Sequence, residues 1–194
     1  MLNVVLFQPE IPSNTGNIGR TCVITGARLH LIGPLGFSLD DRALRRAGLA
    51  YWGSLDEVTY ASWEDFLARN PTARGDRVHL LTKRGARTYA RSTYRDGDYL
   101  VFGRESSGLP LELLDAHPEL CERIPMRSDD DALGETAAPW RAEYAGLHPE
   151  ARRDIAGNYV DERVGRITSL NLSNAVAIVL YEALRQTGFP DMEA

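Results

Sequence analysis

Cysteine is scarce in this chain. There are two in 194 residues, Cys22 and Cys121, and neither has a second cysteine three positions away. That excludes a CxxC redox pair or zinc knuckle and leaves two reduced, semi-buried thiols as the expectation. The four histidines (His30, His79, His117 and His148) stand singly, so structural or surface roles are expected and no metal site is. No apolar run approaches the ~18 residues of a membrane-spanning helix. The opening MLNVVLFQPE has neither a basic stretch nor a small-residue cleavage site. It reads as a strand, in a cytoplasmic protein with no membrane partner. Positive charge is also in short supply: 22 Lys and Arg face 27 Asp and Glu, for a formal net charge of -5. A generic nucleic-acid coat would be basic, so non-specific coating is disfavoured, whereas a local basic patch is not.

What remains is ordinary globular composition, 43% hydrophobic and 25% charged, enough for one well-buried core and one domain over 1–194. Apolar runs at 2–7, 28–33, 77–82, 99–102 and 121–126 read as strands. Helical patterns follow several of them. One runs through TGNIGRTCVITG with Ser13 or Asn14 as its cap and Gly26 as its stop. Others cover 40–48, 63–70 and the stretch opening at Pro110, and a long one lies in NLSNAVAIVLYEALRQTG at 171–188. The strands are continuous rather than alternating in hydrophobicity. The fold class is therefore α/β, a mostly parallel sheet covered on both faces by helices. Ligands in such sheets gather at the carboxyl ends of strands, where QPEIPSNTGN, TKRG, GRESSGLP and IPM all fall. Residues 127–166 stand apart, with nine acids, six arginines and little strand character, and read as an acidic insertion.

Three motifs carry chemistry. In NTGNIGR, polar groups gather at a helix start, and Asn17 and Arg20 are three apart on one face. Two glycines in a first helical turn cost about 1 kcal/mol each, which suggests a close backbone approach there. A capped helix with a surface arginine is the plainer alternative. GRESSG, at 103–108, has the strand–glycine–helix frame of a P-loop, but Leu109 and Pro110 stand where Lys and Ser or Thr are required. Nor is it a serine-hydrolase elbow, which needs glycine two residues either side of the serine. In SLNLSNAV, Ser169, Asn171, Ser173 and Asn174 exceed what one cap requires. The apolar face after them (Ala175, Val176, Val179, Leu180, Leu184) suits core or subunit packing. Arg42, Arg45 and Arg46, and Lys83, Arg84, Arg87 and Arg91, form two basic clusters. These are solvated helix faces or a phosphate-backbone groove.

Together NTGNIGR, FGRESSGLP and SLNLSNAVAIVLYEALRQ resemble, in order, the three motifs of the SPOUT superfamily of RNA methyltransferases. Within it, MLNVVLFQPEIPSNTGNIGR, GFSLDDRALRRAGLAY and RIPM are similar to the bacterial tRNA wobble-nucleotide ribose 2'-O-methyltransferases. The resemblance covers 1–126 and 167–190. It implies a C-terminal deep trefoil knot, an exception to the rule against threaded chains. It implies S-adenosylmethionine as cofactor, held by Leu81, Gly103, Ile124 and Ser169, with Met126 and Leu170 beside the adenine. It implies a homodimer, no metal, and a tRNA anticodon stem-loop as partner. Arg20 matches the catalytic arginine and Asn17 its neighbour on the same face, with Arg20, Arg45 and Arg46 as RNA contacts. The chain departs from the family's pattern in the insertion at 127–166 and in Ser107, where relatives often carry Arg.

The implied reaction is displacement by a ribose 2'-hydroxyl at the cofactor's methyl carbon, which demands alignment and formation of an alkoxide. Arginine is too weak an acid to serve as base. The expected role of Arg20 is to orient the hydroxyl and stabilise the oxyanion, with a phosphate or carboxylate taking the proton. The alternative target is another tRNA position or ribosomal RNA. Glu105 is a carboxylate suited to a sulfonium, a ribose hydroxyl or a neighbouring subunit, with its partner left open.

Overall fold

The computed structural model describes residues 1–38, 51–126, 160–161, 166–167, 169–190 and 192. The chain divides into two compact units, Met1–Ile124 with Leu172–Ala194, and Pro125–Asn171. The first is built on strands β1 (Asn3–Phe7), β2 (Arg28–Ile32), β3 (Glu57–Tyr60), β4 (Val78–Leu81), β5 (Arg87–Thr88), β6 (Tyr99–Phe102) and β7 (Cys121–Arg123). They form one sheet in the order β3-β2-β1-β6-β4-β7-β5, and every pair is parallel. Its helices are α1 (Pro12–Thr25), α2 (Trp63–Arg69), α3 (Leu111–Ala116) and α4 (Leu172–Thr187). In the second unit, β8 (Val160–Asp161) pairs antiparallel with β9 (Arg166–Ile167). The acidic segment thus holds a short ladder where little strand character was expected. The helix expected over 40–48 lies outside the described residues.

The alternation of β1 explains the layering. Val4 and Leu6 belong to one core cluster, with Ile18 and Cys22 of α1 and Val176, Val179 and Leu180 of α4. Val5 and Phe7 belong to a second, with Phe66 of α2 and Leu114 of α3. A strand buried on both faces favours a continuous apolar run, hence VVLF after the buried, hydrogen-bonded Asn3 rather than an alternating pattern. Each side chain fully buried this way contributes about 1.5–3 kcal/mol. The apolar face of α4 is therefore core: Val176, Val179, Leu180 and Leu184 are buried there.

Helix ends follow local chemistry, with one correction. Ser62 caps α2, accepting from the Asp65 N–H, and Gly26 ends α1 at φ 68°. The cap of α1 is neither Ser13 nor Asn14 but Ile11, with no side-chain cap bond of its own. Pro12, with its fixed φ and missing N–H, suits the first helical position and moves the start forward. Strands β3 and β5 carry no apolar run: EVTY is half-buried and β5 is two residues long.

Buried polar groups in the sheet are mutually satisfied. The His30 ring lies between the Tyr60 hydroxyl, 2.8 Å from Nδ1, and Asn3 Oδ1, 3.0 Å from Nε2. His79 bridges Glu122 (2.7 Å) and Asp98 (3.2 Å), both fully buried. The Tyr94 hydroxyl donates to the other Glu122 oxygen, Arg87 pairs with Glu122, and Arg77 pairs with Asp98. Burial puts Cys22 at about 12, an inert thiol.

These environments set the response to pH. Burial, then the charge of Arg28, lowers His30 from 6.5 to about 4. The unfolded chain therefore binds a proton between those values that the fold refuses, and stability falls as pH drops through them. Burial pushes Glu122 up, but the hydrogen bonds from His79 and Tyr94 outweigh it, so the net shift is down. Its contribution is present above the ordinary glutamate range and lost in acid. Burial pushes His79 down, but bonds to Asp98 and Glu122 outweigh it, so the net shift is up. That contribution is present below the ordinary histidine range and lost as pH rises through the folded value. The midpoint of thermal unfolding should peak near neutrality and decline steadily from pH 6.5 to 4. Glu122→Ala should cost about 3 kcal/mol by denaturant titration at pH 7, since it strands His79 and Tyr94 without their acceptor.

Candidate active site

Strands β1, β6, β4 and β7 are neighbours, and their carboxyl ends open on one edge. From β1 the chain builds β2 and β3 on one side, then crosses to the other, so the topology switches between β1 and β6. A crevice at such a switch is where α/β sheets bind ligands. The loops that leave β1, β6 and β4 at this edge are 8–11, 103–110 and 82–86. Gln8, the first residue beyond β1, adopts φ 49° with its N–H donating to the Ile32 carbonyl. A left-handed non-glycine residue is uncommon and marks a tightly constrained turn.

Glu105 ties two of these loops together. Its carboxylate accepts from the backbone N–H of Glu10 (2.8 Å) and of Ile11 (3.2 Å), and from Asn14 Nδ2 (3.0 Å). The first turn of α1 has no acid of its own. Glu105 supplies that negative charge from a distant loop, where the free N–H groups and dipole of a helix start favour it. The tie is reciprocal, since the backbone N–H and the hydroxyl of Ser106 donate to the two Glu10 oxygens, both at 2.9 Å. Among the described residues, then, the Glu105 carboxylate is engaged within its own chain. Glu10 went unnoticed in the sequence because nothing local marks it.

The glycines also have intramolecular reasons. A Cβ on Gly103 would lie 2.1 Å from the Gly108 carbonyl carbon and 2.2 Å from the Leu109 nitrogen. The loop closes on itself there through paired Arg104–Gly108 backbone bonds of 3.1 and 2.9 Å. The close approach inferred from NTGNIGR is likewise made by the protein, because a Cβ on Gly19 would sit 3.1 Å from Leu55 and from the Trp52 ring.

Arg20 and Asn17 are exposed on α1. The Arg20 guanidinium stands 5.3 Å over the Tyr51 ring, a cation–π arrangement. The Tyr51 hydroxyl donates to the Gly16 carbonyl at 2.6 Å, fixing the ring against the helix that carries Arg20. Burial raises the Tyr51 phenol, with Arg20 pulling the other way, so it stays protonated at neutral pH. Tyr51 is the last residue of GFSLDDRALRRAGLAY, and that position is the one signal for it in the sequence. Leu81, Gly103 and Ile124 lie at or just beyond the ends of β4, β6 and β7, and so come together. Met126, Ser169 and Leu170 belong to the second unit; Met126 and Leu170 are exposed and Ser169 is half-buried. Arg45 and Arg46 lie outside the described residues.

Leu81 and Phe102 enter the first core cluster, with Tyr89, Ile124 and Leu172 half-buried against it. Half-exposed apolar side chains beside tightly turned backbone fit the adenosyl part of S-adenosylmethionine, a flat ring with polar edges. Among the described residues no group of three or more His, Cys, Asp or Glu could hold a metal ion, and no helix is long and apolar enough to cross a membrane.

Residues 1–133 match the SpoU rRNA Methylase family. The chain is 42% identical over 192 residues to a tRNA (cytidine(34)-2'-O)-methyltransferase from Escherichia coli (strain K12), covering 98% of this chain and 96% of that protein. A solved structure concerned with the 2-OH methylation of C/U34 on tRNA is 38% identical, with a TM-score of 0.70, covering 96% of this chain and 95% of the other. An AdoMet-bound rRNA methyltransferase from Sinorhizobium meliloti is 25% identical, with a TM-score of 0.64, over 95% of this chain and 56% of that one.

The Glu105 tie can be tested by stability. Glu105→Ala should lower the unfolding free energy by about 2 kcal/mol, the upper range for loss of a helix cap. Gly103→Ala should cost at least as much, because the clash is with backbone. Chemical denaturation of both variants checks this.

Proposed function

The chain belongs to the SpoU rRNA Methylase family, and from that premise we propose that it is an S-adenosylmethionine-dependent tRNA ribose 2'-O-methyltransferase acting on the wobble nucleotide, position 34. The observation that carries this is the near-full-length identity to the Escherichia coli enzyme, with both chains covered almost end to end. An exposed arginine, Arg20, on the helix that follows β1 is in keeping with it.

The cofactor supplies an electrophilic methyl group on a sulfonium. Leu81, Gly103 and Ile124 would hold it from the ends of three neighbouring strands, with Met126, Ser169 and Leu170 completing the site. The C-terminal segment would be tied in a deep trefoil knot, within one methyltransferase domain interrupted by the insertion at 127–166. The working unit would be a cytoplasmic homodimer that takes the anticodon stem-loop, without a metal.

Arg20 does its work as a permanent cation. Tyr51 limits where its guanidinium can go, so it meets the ribose with little ordering cost. It orients the 2'-hydroxyl, holds the adjacent phosphate and stabilises the developing alkoxide. Asn17, one turn earlier on the same helix, contacts the same nucleotide. Glu105 is no candidate for the base, because its oxygens already accept three N–H bonds. The proton passes to a substrate phosphate beside Arg20.

Incubation with S-adenosylmethionine and unmodified tRNA, followed by nucleoside mass spectrometry, should show a 2'-O-methyl group at the wobble nucleotide. A methyl group at another tRNA position, or on ribosomal RNA alone, would overturn the assignment. Arg20→Ala should lower kcat by about 10²–10³ while leaving cofactor affinity, measured by calorimetry, unchanged.

A further inference from the structure

Strand β5 ends the sheet, and β7 is its sole partner in the strand order. At this edge lies a cavity of about 580 Å³ lined by Ala86, Arg87, Thr88, Arg91 and Arg123. Three of the five side chains are guanidinium groups, on a chain with net charge -5. The parallel register sets Arg123 beside Thr88, and the helical turn Tyr89–Arg91 turns Arg91 back to the same cavity.

The three arginines are not equivalent. Arg87 Nη2 donates to the Glu119 carbonyl (3.3 Å) and to Glu122 Oε1 (3.1 Å). Glu122 is fully buried and also held by His79 and Tyr94, so it anchors Arg87 from inside the fold. Arg87 keeps further N–H donors for the cavity it lines. Arg91 and Arg123 are exposed, and neither is paired with a carboxylate among the described residues. Converging like charges repel, so the cluster favours an anion. A planar guanidinium fork matches phosphate geometry.

We propose that this cavity holds a backbone phosphate of the RNA substrate, outside the methyl-transfer crevice. The proposal rests on the RNA methyltransferase reading above. Arg87 is 46% exposed, which suits a phosphodiester arriving as part of a chain better than an engulfed small anion. Arg123 directly precedes Ile124, a residue of the cofactor site as proposed, so a phosphate gripped here would fix the register of the RNA relative to that site. Phosphate contacts of this kind position a nucleic acid without reading its sequence.

The test is the full-length double variant Arg91→Ala/Arg123→Ala, with tRNA affinity measured across a salt series and steady-state methylation alongside. KM for tRNA should rise about tenfold, and the slope of log affinity against log salt should fall by about 1 or slightly less, the value for one lost phosphate contact. The kcat at saturating tRNA, cofactor affinity and thermal midpoint should stay unchanged. Arg91→Lys/Arg123→Lys should restore most of the salt slope, which a merely structural role would not predict. If the wild type methylates tRNA and the alanine variant keeps its KM and salt slope, the phosphate site is wrong and the enzyme assignment stands. If the wild type acts on a different RNA and the variant weakens that binding in the same salt-dependent way, the site stands and the tRNA assignment falls.

Discussion

One carboxylate organises the binding edge of this protein. Glu105, on the loop after β6, accepts from two backbone N–H groups and a side-chain amide at the start of α1. A helix start is short of acceptors and carries partial positive charge, and the sequence offers no acid in that first turn. The loop after β6 therefore cannot move without uncapping the helix that bears Asn17 and Arg20. Ser106 returns the tie through Glu10, so each loop is held by an acid from the other. Gly103 is part of the same device, because the loop that presents Glu105 closes over a space where no Cβ fits. A motif with the outline of a phosphate loop turns out to be a clamp between two strand ends.

Charge in this fold follows two regimes. Within the core, His79, Asp98, Glu122 and Tyr94 form a connected set in which burial penalties are met by hydrogen bonds and by the ion pairs from Arg77 and Arg87. His30 reaches the same end without charge, as a neutral ring between Asn3 and Tyr60. Both histidines are structural, as isolated histidines in apolar strands tend to be. Arg87 connects the regimes: one nitrogen is bound to the buried carboxylate while the side chain lines the outer basic cavity. A chain with net charge -5 can thus still present a local positive site, with the carboxylate of Glu122 turned inward to His79 and Tyr94.

Much of the architecture was legible in the sequence. The runs at 2–7, 28–33, 77–82 and 99–102 gave strands because a parallel sheet covered on both faces favours continuous apolar runs, with room for a polar residue such as Asn3, His30 or His79 only where it is hydrogen-bonded. Glu57–Tyr60 and Arg87–Thr88 escaped because an edge strand is half-buried and two residues carry no period. The cap of α1 was misplaced by two or three residues because Ser13 and Asn14 look like caps, and Pro12 ahead of them is a better first residue. Asn17 and Arg20 were visible through their three-residue spacing. Tyr51, which holds Arg20, carries no such signal, since nothing local says that its ring lies under a guanidinium thirty-one positions earlier.

The sequence by itself determined the alternation of strands and helices, the parallel sheet, and the loops at which chemistry could occur. These are set by hydrophobic period and by turn residues, which act over a few positions. Only the tertiary structure decided what Glu105 binds, why Gly103 must be glycine, and which arginines converge. Glu105 and its partners are 91 to 95 positions apart, and Arg123 reaches Thr88 only through the pairing of two edge strands. Such contacts are fixed by strand order, and no local pattern encodes strand order.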